Sequence, residues 1–288
     1  MPRIAINGID IAYDVIGDGP RTAAITPGGR FSRDAGGVRE LADALAEGGL
    51  RVLIWDRPNT GESDIAFTGA GETFQNADTL AGLLRALDFG PTLLIGGSGG
   101  GREQIVTAIR HPDVVSRVFV LWLSGGAIGI ATLPIFYCAD ALMTAYAGGM
   151  EAVAALPGWQ EPLTRNPGNR TRMLALDTSM FVAKMREWAE AFMPAPSVPI
   201  PCVTAEELAA IAVPVTILRS GLSDPHHTRA TSEAVAAMIP GATLAEPPWG
   251  DSEWMDQLTT SMKGEGALFG HWPLLAPQIL AFAAQGVV

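Results

Sequence analysis

The stretch Leu93-Leu94-Ile95-Gly96-Gly97-Ser98-Gly99-Gly100-Gly101 constrains this 288-residue chain more than any other. A short apolar run ends in glycines, a single serine stands among them, and helical spacing follows over Glu103–Arg110. Gly96, Ser98 and Gly100 fit G-x-S-x-G, in which a strand turns sharply into a helix and holds the serine at the tip. The positions two before and two after must be small, because the backbone passes close to itself there. A phosphate loop also joins a strand to a helix, but its signature needs a lysine and residues 96–110 contain none. The dinucleotide pattern G-x-G-x-x-G, counted from Gly97 and Gly99, meets Arg102 where its third glycine should be. Close helix–strand packing alone remains a further use for these glycines.

Around this turn, apolar strands alternate with helices. Ile4–Ile6 and Ile11–Ile16 read as a hairpin across Asn7-Gly8, and Ala23–Thr26 as a third strand ended by Pro27-Gly28-Gly29-Arg30. Val38, Leu41, Ala42 and Leu45 recur at helical spacing before Gly48-Gly49. The strand Val52–Trp55, a helix through Ala77 and Leu87, the strand Thr92–Ile95 and the strand Val118–Leu123 follow. All-apolar strands alternating with helices predict an α/β fold, a mostly parallel central sheet flanked by helices on both faces.

The alternation lapses over residues 125–203, which read as helical and carry many Met, Trp and Phe residues. Pro194, Pro196, Pro199 and Pro201 close that segment. It is expected to be a helical cap inserted between residues 1–124 and 204–288 of one core domain, since lids are inserted next to strand ends. A plain helical subdomain packed on the core is the alternative. The sheet pattern resumes at Val213–Leu218 and Ala242–Leu244, with helices at Thr228–Met238 and Leu274–Ala284.

Composition narrows the partners. The chain is 48% hydrophobic and 17% charged, enough for a large core. Its net charge of −11 and scattered basic residues exclude a nucleic-acid footprint. Val118 to Ala139 is uncharged and nearly long enough to span a bilayer, but Ser124-Gly125-Gly126, Gly129 and Pro134 interrupt it, so no membrane span is expected. Cys138 and Cys202 have no framework spacing and read as reduced thiols in a cytoplasmic protein. No secretory leader is expected from the first residues, and no cluster has metal-ligand spacing, so neither metal nor cofactor is expected.

A serine hydroxyl needs a base, and the base needs an orienting group. The four histidines are His111 at the end of the helix after Ser98, the adjacent His226 and His227 at a helix start, and His271 in Phe269-Gly270-His271-Trp272-Pro273. The whole chain resembles the α/β-hydrolase family, in its capped serine-hydrolase branch. The resemblance rests on the early strand pair, Pro27-Gly28-Gly29, the loop Asp56-Arg57-x-x-x-Gly61-x-Ser63-Asp64, the glycine-flanked Ser98, Arg110-His111-Pro112, the helical segment and Gly270-His271.

That family runs Ser, acid, His along the chain. The resemblance therefore implies Ser98 as nucleophile, Asp224 after the strand Val213–Leu218 as acid, and His271 as base. A rival acid position, Ser124-Gly125-Gly126, holds no carboxylate, and loop or helix capping is the other use for Asp224. The oxyanion hole is expected at the N–H of Gly99 with one of Gly29 or Arg30. The Arg30 side chain either binds a substrate carboxylate or pairs with a surface acid. The pattern departs from the family at Trp249–Phe269, where Trp254, Met255, Leu258 and Met262 fit one helical face. This helix is expected to wall the substrate site or to pack on the cap. Candidate substrate-binding residues are Trp254, Phe136, Met143, Trp159 and Trp272. The activity implied is hydrolysis of a small, largely apolar ester or lactone through an acyl-enzyme. C–C bond, amide or thioester hydrolysis on the same triad, and a non-catalytic small-ligand binder, are the alternatives. A small-molecule substrate is the partner expected, and an oligomer is compatible with the sequence.

Overall fold

In the computed structural model, residues 2–285 are described. Eight strands form one sheet: β1 (Arg3–Ile6), β2 (Ile9–Ile16), β3 (Arg21–Thr26), β4 (Leu50–Trp55), β5 (Thr92–Gly97), β6 (Val115–Leu121), β7 (Val215–Leu218) and β8 (Thr243–Ala245), in the order β1-β2-β4-β3-β5-β6-β7-β8. The first two strands run antiparallel to their neighbours, and every pairing from β4·β3 to β7·β8 is parallel. Asn7 and Gly8 both take positive φ (52° and 81°), the geometry of a two-residue hairpin turn. β6 starts three residues earlier than its apolar run, because Thr92 of β5 pairs with Val115, and it ends at Leu121, where Trp122 turns to φ 50°.

Strand side chains alternate between faces, and each face has its own helices. Ala24, Leu53, Leu94, Val120 and Ile217 pack under α2 (Glu72–Ala86), α3 (Gly99–Arg110) and two later helices. Ile25, Ile54, Ile95, Phe119 and Leu218 pack on α1 (Val38–Glu47) and on the chain's last helical stretch, where Trp272, Leu275 and Ile279 are fully buried.

Between β6 and β7 come α4 (Gly126–Pro134), a π-helical turn at Ile135–Ala139, α5 (Asp140–Ala155), α6 (Pro157–Arg165), α7 (Gly168–Leu174), α8 (Thr178–Glu190) and the short α9 (Ala205–Ala209). This layer keeps a separate apolar cluster around Leu133, Trp159, Met173, Met185 and Trp188, joined by Ile65 from the loop after β4. The helical run Gly126–Ala155 is long and apolar enough by composition to cross a bilayer, with mean hydropathy 1.5. Pro134, the π turn and Gly149 at φ 67° break it into pieces. After β7 come α10 (Arg229–Met238), then, beyond β8, α11 (Glu253–Met262) and α12 (Ala276–Ala284).

Buried charge fixes the loop after β4. Arg33, whose side chain is fully buried, bonds Asp56 and Glu62, and its Nε lies 3.1 Å from Asp14. The Asp56 carboxylate also accepts the backbone N–H groups of Arg33 and Glu62 at 2.8 Å. Burial opposes the Arg33 charge, but the surrounding carboxylates raise its pKa above the ordinary value. Arg33→Ala would leave Asp56 buried without its counter-ion, and a loss of about 3–5 kcal/mol is expected in a denaturant or thermal melt.

Candidate active site

Strand β5 delivers Ser98 at φ 54°, ψ −121°, a conformation that costs of order 1–3 kcal/mol for a non-glycine residue. Two bonds hold it. Its N–H donates to the Leu121 carbonyl at 3.1 Å, and its carbonyl accepts from Arg102 N–H at 3.1 Å. A Cβ at Gly96 would lie 2.6 Å from the Gly100 backbone, so the small flanks read from the sequence are a steric requirement.

The turn after β3 lies against the serine. A Cβ at Gly28 would come within 2.8 Å of Ser98 Cβ. Arg57 holds this turn from behind: its Nη2 donates to the carbonyls of Gly28 (3.2 Å) and Phe31 (3.0 Å), and its Nη1 lies 3.1 Å from Glu103 Oε1. Asn76 donates to the same Glu103 oxygen at 2.9 Å. Burial pushes Glu103 up, against the pull of Arg57 and Asn76.

The imidazole facing Ser98 belongs to His227. Its Nε2 lies 2.9 Å from Ser98 Oγ, and its Nδ1 lies 2.9 Å from Asp224 Oδ2. Asp224 Oδ1 accepts the N–H groups of both His226 and His227 at 2.9 Å, so one carboxylate closes the turn and orients the ring. The ring is buried, with the Trp254 edge 4.4 Å from it between centroids and Trp122 stacked at 6.4 Å. Gly125 N–H binds the His226 carbonyl at 3.1 Å, pinning this turn to the loop after β6. Ser124 Oγ from that loop stands 3.4 Å from Ser98 Oγ.

Asp224 therefore stands beside the imidazole of His227 and not that of His271, which does not reach Ser98. Its Nδ1 lies 3.0 Å from Glu253 and 2.8 Å from Gln257 Nε2, both on α11, and half of its side chain is exposed. The physical cause is the long segment after β8. It places Trp272 beneath the active-site strand, with Cζ2 2.7 Å from where a Gly97 Cβ would be, and turns position 271 outward. The signal for His227 was present as Asp224-Pro225-His226-His227, an acid and an imidazole three residues apart directly after a strand.

A cavity of about 340 Å³ opens on Ser98 and His227. Of the candidate substrate-binding residues, Phe136 and Trp254 line it, and α11 is one wall through Trp254 and Leu258. Met143 is exposed, Trp159 is buried inside the helical layer and Trp272 lies under the sheet, so these three are not part of the lining. Gly28, Phe31, Leu133, Tyr137, Leu268 and Phe269 are lining residues that the sequence reading missed. Among the described residues, no Arg or Lys lines the cavity. The Arg30 side chain is committed to buried Glu72 through two 3.0 Å bonds and to the Tyr137 carbonyl at 2.9 Å, neither to a surface acid nor to the cavity. Cys138 is no rival nucleophile, because burial pushes its thiol up to about 12. Among the described residues, no three His, Cys, Asp or Glu side chains gather as metal ligands.

A strand-end serine hydrogen-bonded to an imidazole, on an eight-stranded mostly parallel sheet, defines a hydrolase architecture. A model of the alpha/beta hydrolase family matches residues 25–284, and the chain belongs to that family. Among curated proteins, it is similar to a 2-hydroxy-6-oxononadienedioate/2-hydroxy-6-oxononatrienedioate hydrolase of Burkholderia vietnamiensis, 38% identical over 87 residues. That match covers 30% of this chain and 29% of the relative. Among solved structures, an N-acyl homoserine lactone degrading enzyme superposes over 100% of both chains with TM-score 0.59 and 19% identity. The enol-lactonase of Burkholderia xenovorans superposes over 91% of this chain and 97% of its own, with TM-score 0.56 and 22% identity. These last two likenesses are likenesses of fold.

Gly28→Ala tests the close approach. Its methyl must displace Ser98 or the turn, and a displacement near 1 Å costs on the order of 10²-fold in rate. Labelling of Ser98 by a fluorophosphonate is expected to slow by that order, while the melting curve stays cooperative.

Proposed function

We propose that the protein is a serine hydrolase that cleaves a small, largely apolar ester or lactone through an acyl-enzyme. The observation that carries this reading is the hydrogen-bonded line Ser98–His227–Asp224 at the mouth of an apolar cavity. In it, His227 Nε2 takes the Ser98 proton as Oγ attacks the carbonyl, and returns it to the leaving oxygen. Asp224 keeps Nδ1 protonated and stabilises the imidazolium. The N–H groups of Gly99 and Gly29 serve the developing oxyanion, and residues 125–203 act as a cap over the cavity. Water deprotonated by His227 then releases the acid. A cytoplasmic location belongs to the same proposal, supported by the unpaired thiols of Cys138 and Cys202.

The curated relative's name gives it a dioate substrate, which carries two carboxylates. Among the described residues, no Arg or Lys side chain lines the cavity to receive them. That favours an uncharged ester or lactone over a diacid undergoing C–C cleavage.

Ser98→Ala and His227→Ala are each expected to lower kcat for p-nitrophenyl ester hydrolysis by about 10³- to 10⁴-fold or more, with loss of fluorophosphonate labelling in Ser98→Ala. His271→Ala is expected to stay within a few-fold of wild type. Equal damage from His271→Ala, with His227→Ala active, would refute the assignment of the base.

The cavity also sets a length preference. Each buried methylene contributes about 0.8 kcal/mol, so kcat/KM should rise about three- to four-fold per CH₂ from acetate upward until about 340 Å³ is filled. Leu258→Ala, on the α11 wall, should move the best substrate to a longer chain. Acetate as the best substrate of both proteins would contradict the apolar site.

A further inference from the structure

The π-helical turn Ile135–Ala139 interrupts the helical run between α4 and α5 and brings one phenol into the lining of the cavity that Ser98 shares. π turns inside helices are rare and occur mostly at functional sites. Here the turn carries Tyr137, which is only 5% exposed yet lines the cavity. A Cβ built on Gly99 would lie 2.7 Å from the Tyr137 hydroxyl oxygen and 3.3 Å from Gly29 N. The hydroxyl therefore stands beside the same point as the Gly29 N–H and the backbone of the residue after the nucleophile.

We infer that Tyr137 is a catalytic residue of the proposed hydrolase, its O–H donating a third hydrogen bond to the oxyanion formed when Ser98 attacks a carbonyl. The inference rests on the Ser98–His227–Asp224 reading. No covalent bond to Tyr137 forms or breaks: the phenol keeps its proton, and the carbonyl oxygen gains charge as its π pair is displaced by Ser98 Oγ. A donor at this point acts most strongly in the transition state, where the charge develops.

The ring is held for this use. It stacks on Phe192 at 5.1 Å and 24°, and meets Phe136 edge-on at 4.9 Å. The guanidinium groups of Arg30 and Arg102 lie 5.5 and 5.8 Å from its centroid. Arg30 also ties down the Tyr137 carbonyl at 2.9 Å, which fixes the π turn. Burial raises the phenol above its ordinary pKa, against the pull of Arg102 and Arg57, so it remains a neutral donor near pH 7. The residue comes from the helical layer, so the oxyanion site is complete only when that layer is seated.

Tyr137→Phe removes the O–H and keeps the ring in its aromatic stack. The full-length protein carrying it is compared with wild type and with Ser98→Ala. The readouts are kcat and KM for a p-nitrophenyl ester, the rate of fluorophosphonate labelling, affinity for an alkyl boronic acid and the thermal midpoint. The expected result is a fall in kcat and in labelling rate on the order of 10²-fold, a matching loss of boronate affinity, and an unchanged KM and midpoint. A variant within about twofold of wild type in kcat and labelling, with Ser98→Ala inactive, would overturn the role of Tyr137 and leave the triad reading intact. A shift in KM and midpoint with kcat unchanged would also overturn it, making Tyr137 structural. Wild-type turnover by Ser98→Ala would remove both readings.

Discussion

The backbone cannot pass Ser98 unless three separate segments come nearly into contact. The end of β5 folds back on the start of α3, and the turn after β3 lies against the serine Cβ. The Leu121 carbonyl at the end of β6 ties the Ser98 N–H from the other side. No side chain larger than hydrogen fits at Gly28 without displacing Ser98. Parallel strands bring all these ends to one edge of the sheet, and the strained Ser98 dihedrals persist because the crossing over-determines them. Arg57 and Glu103 stand behind this crossing as buried charges that hold the turn after β3 by its carbonyls.

Most of the scaffold was legible before the structure. Eight strands, their helices and the helical layer follow from short apolar runs and period-3.6 apolar spacing, and the Ser98 turn from its glycines. Asp224 stands out in the sequence as a carboxylate after a strand, with no rival carboxylate after the strand before. The imidazole that faces Ser98 does not, because His271 is placed by its order in the chain, while order says nothing about where an inserted segment carries a loop. His226 and His227 read as the start of a helix; they lie just ahead of it, where Thr228 caps α10. The lining residues were missed for a different reason. A Trp or Met in an apolar stripe gives no sign whether it faces a cavity, as with Trp254, or a core, as with Trp159 and Trp272.

Charge is distributed to the same end. Arg30, Arg33 and Arg57 are each committed to carboxylates behind the cavity, and burial opposes the charge on Arg30 and Arg33 even as their partners raise it. The cavity itself is left to aromatic and aliphatic side chains plus a few hydroxyl and imidazole groups. Burial, with His227 beside it, also pushes His226 below the ordinary histidine pKa, so the second imidazole facing the cavity stays neutral near pH 7. A lining of this kind suits ligands matched by shape and a few placed polar groups more than by attraction between ions.

Asp224 and His227 share one four-residue turn, so the relay proposed for them is a local device. The stretch between β8 and α12 carries none of it, yet presents Trp254, Leu258, Leu268 and Phe269 to the cavity. The two pieces of chain are nonetheless fastened together: Trp254 packs on the His227 ring, and Asp251 is held by Ser223 and Arg229. A change of length within 249–269 is therefore felt at the imidazole unless it spares these three contacts.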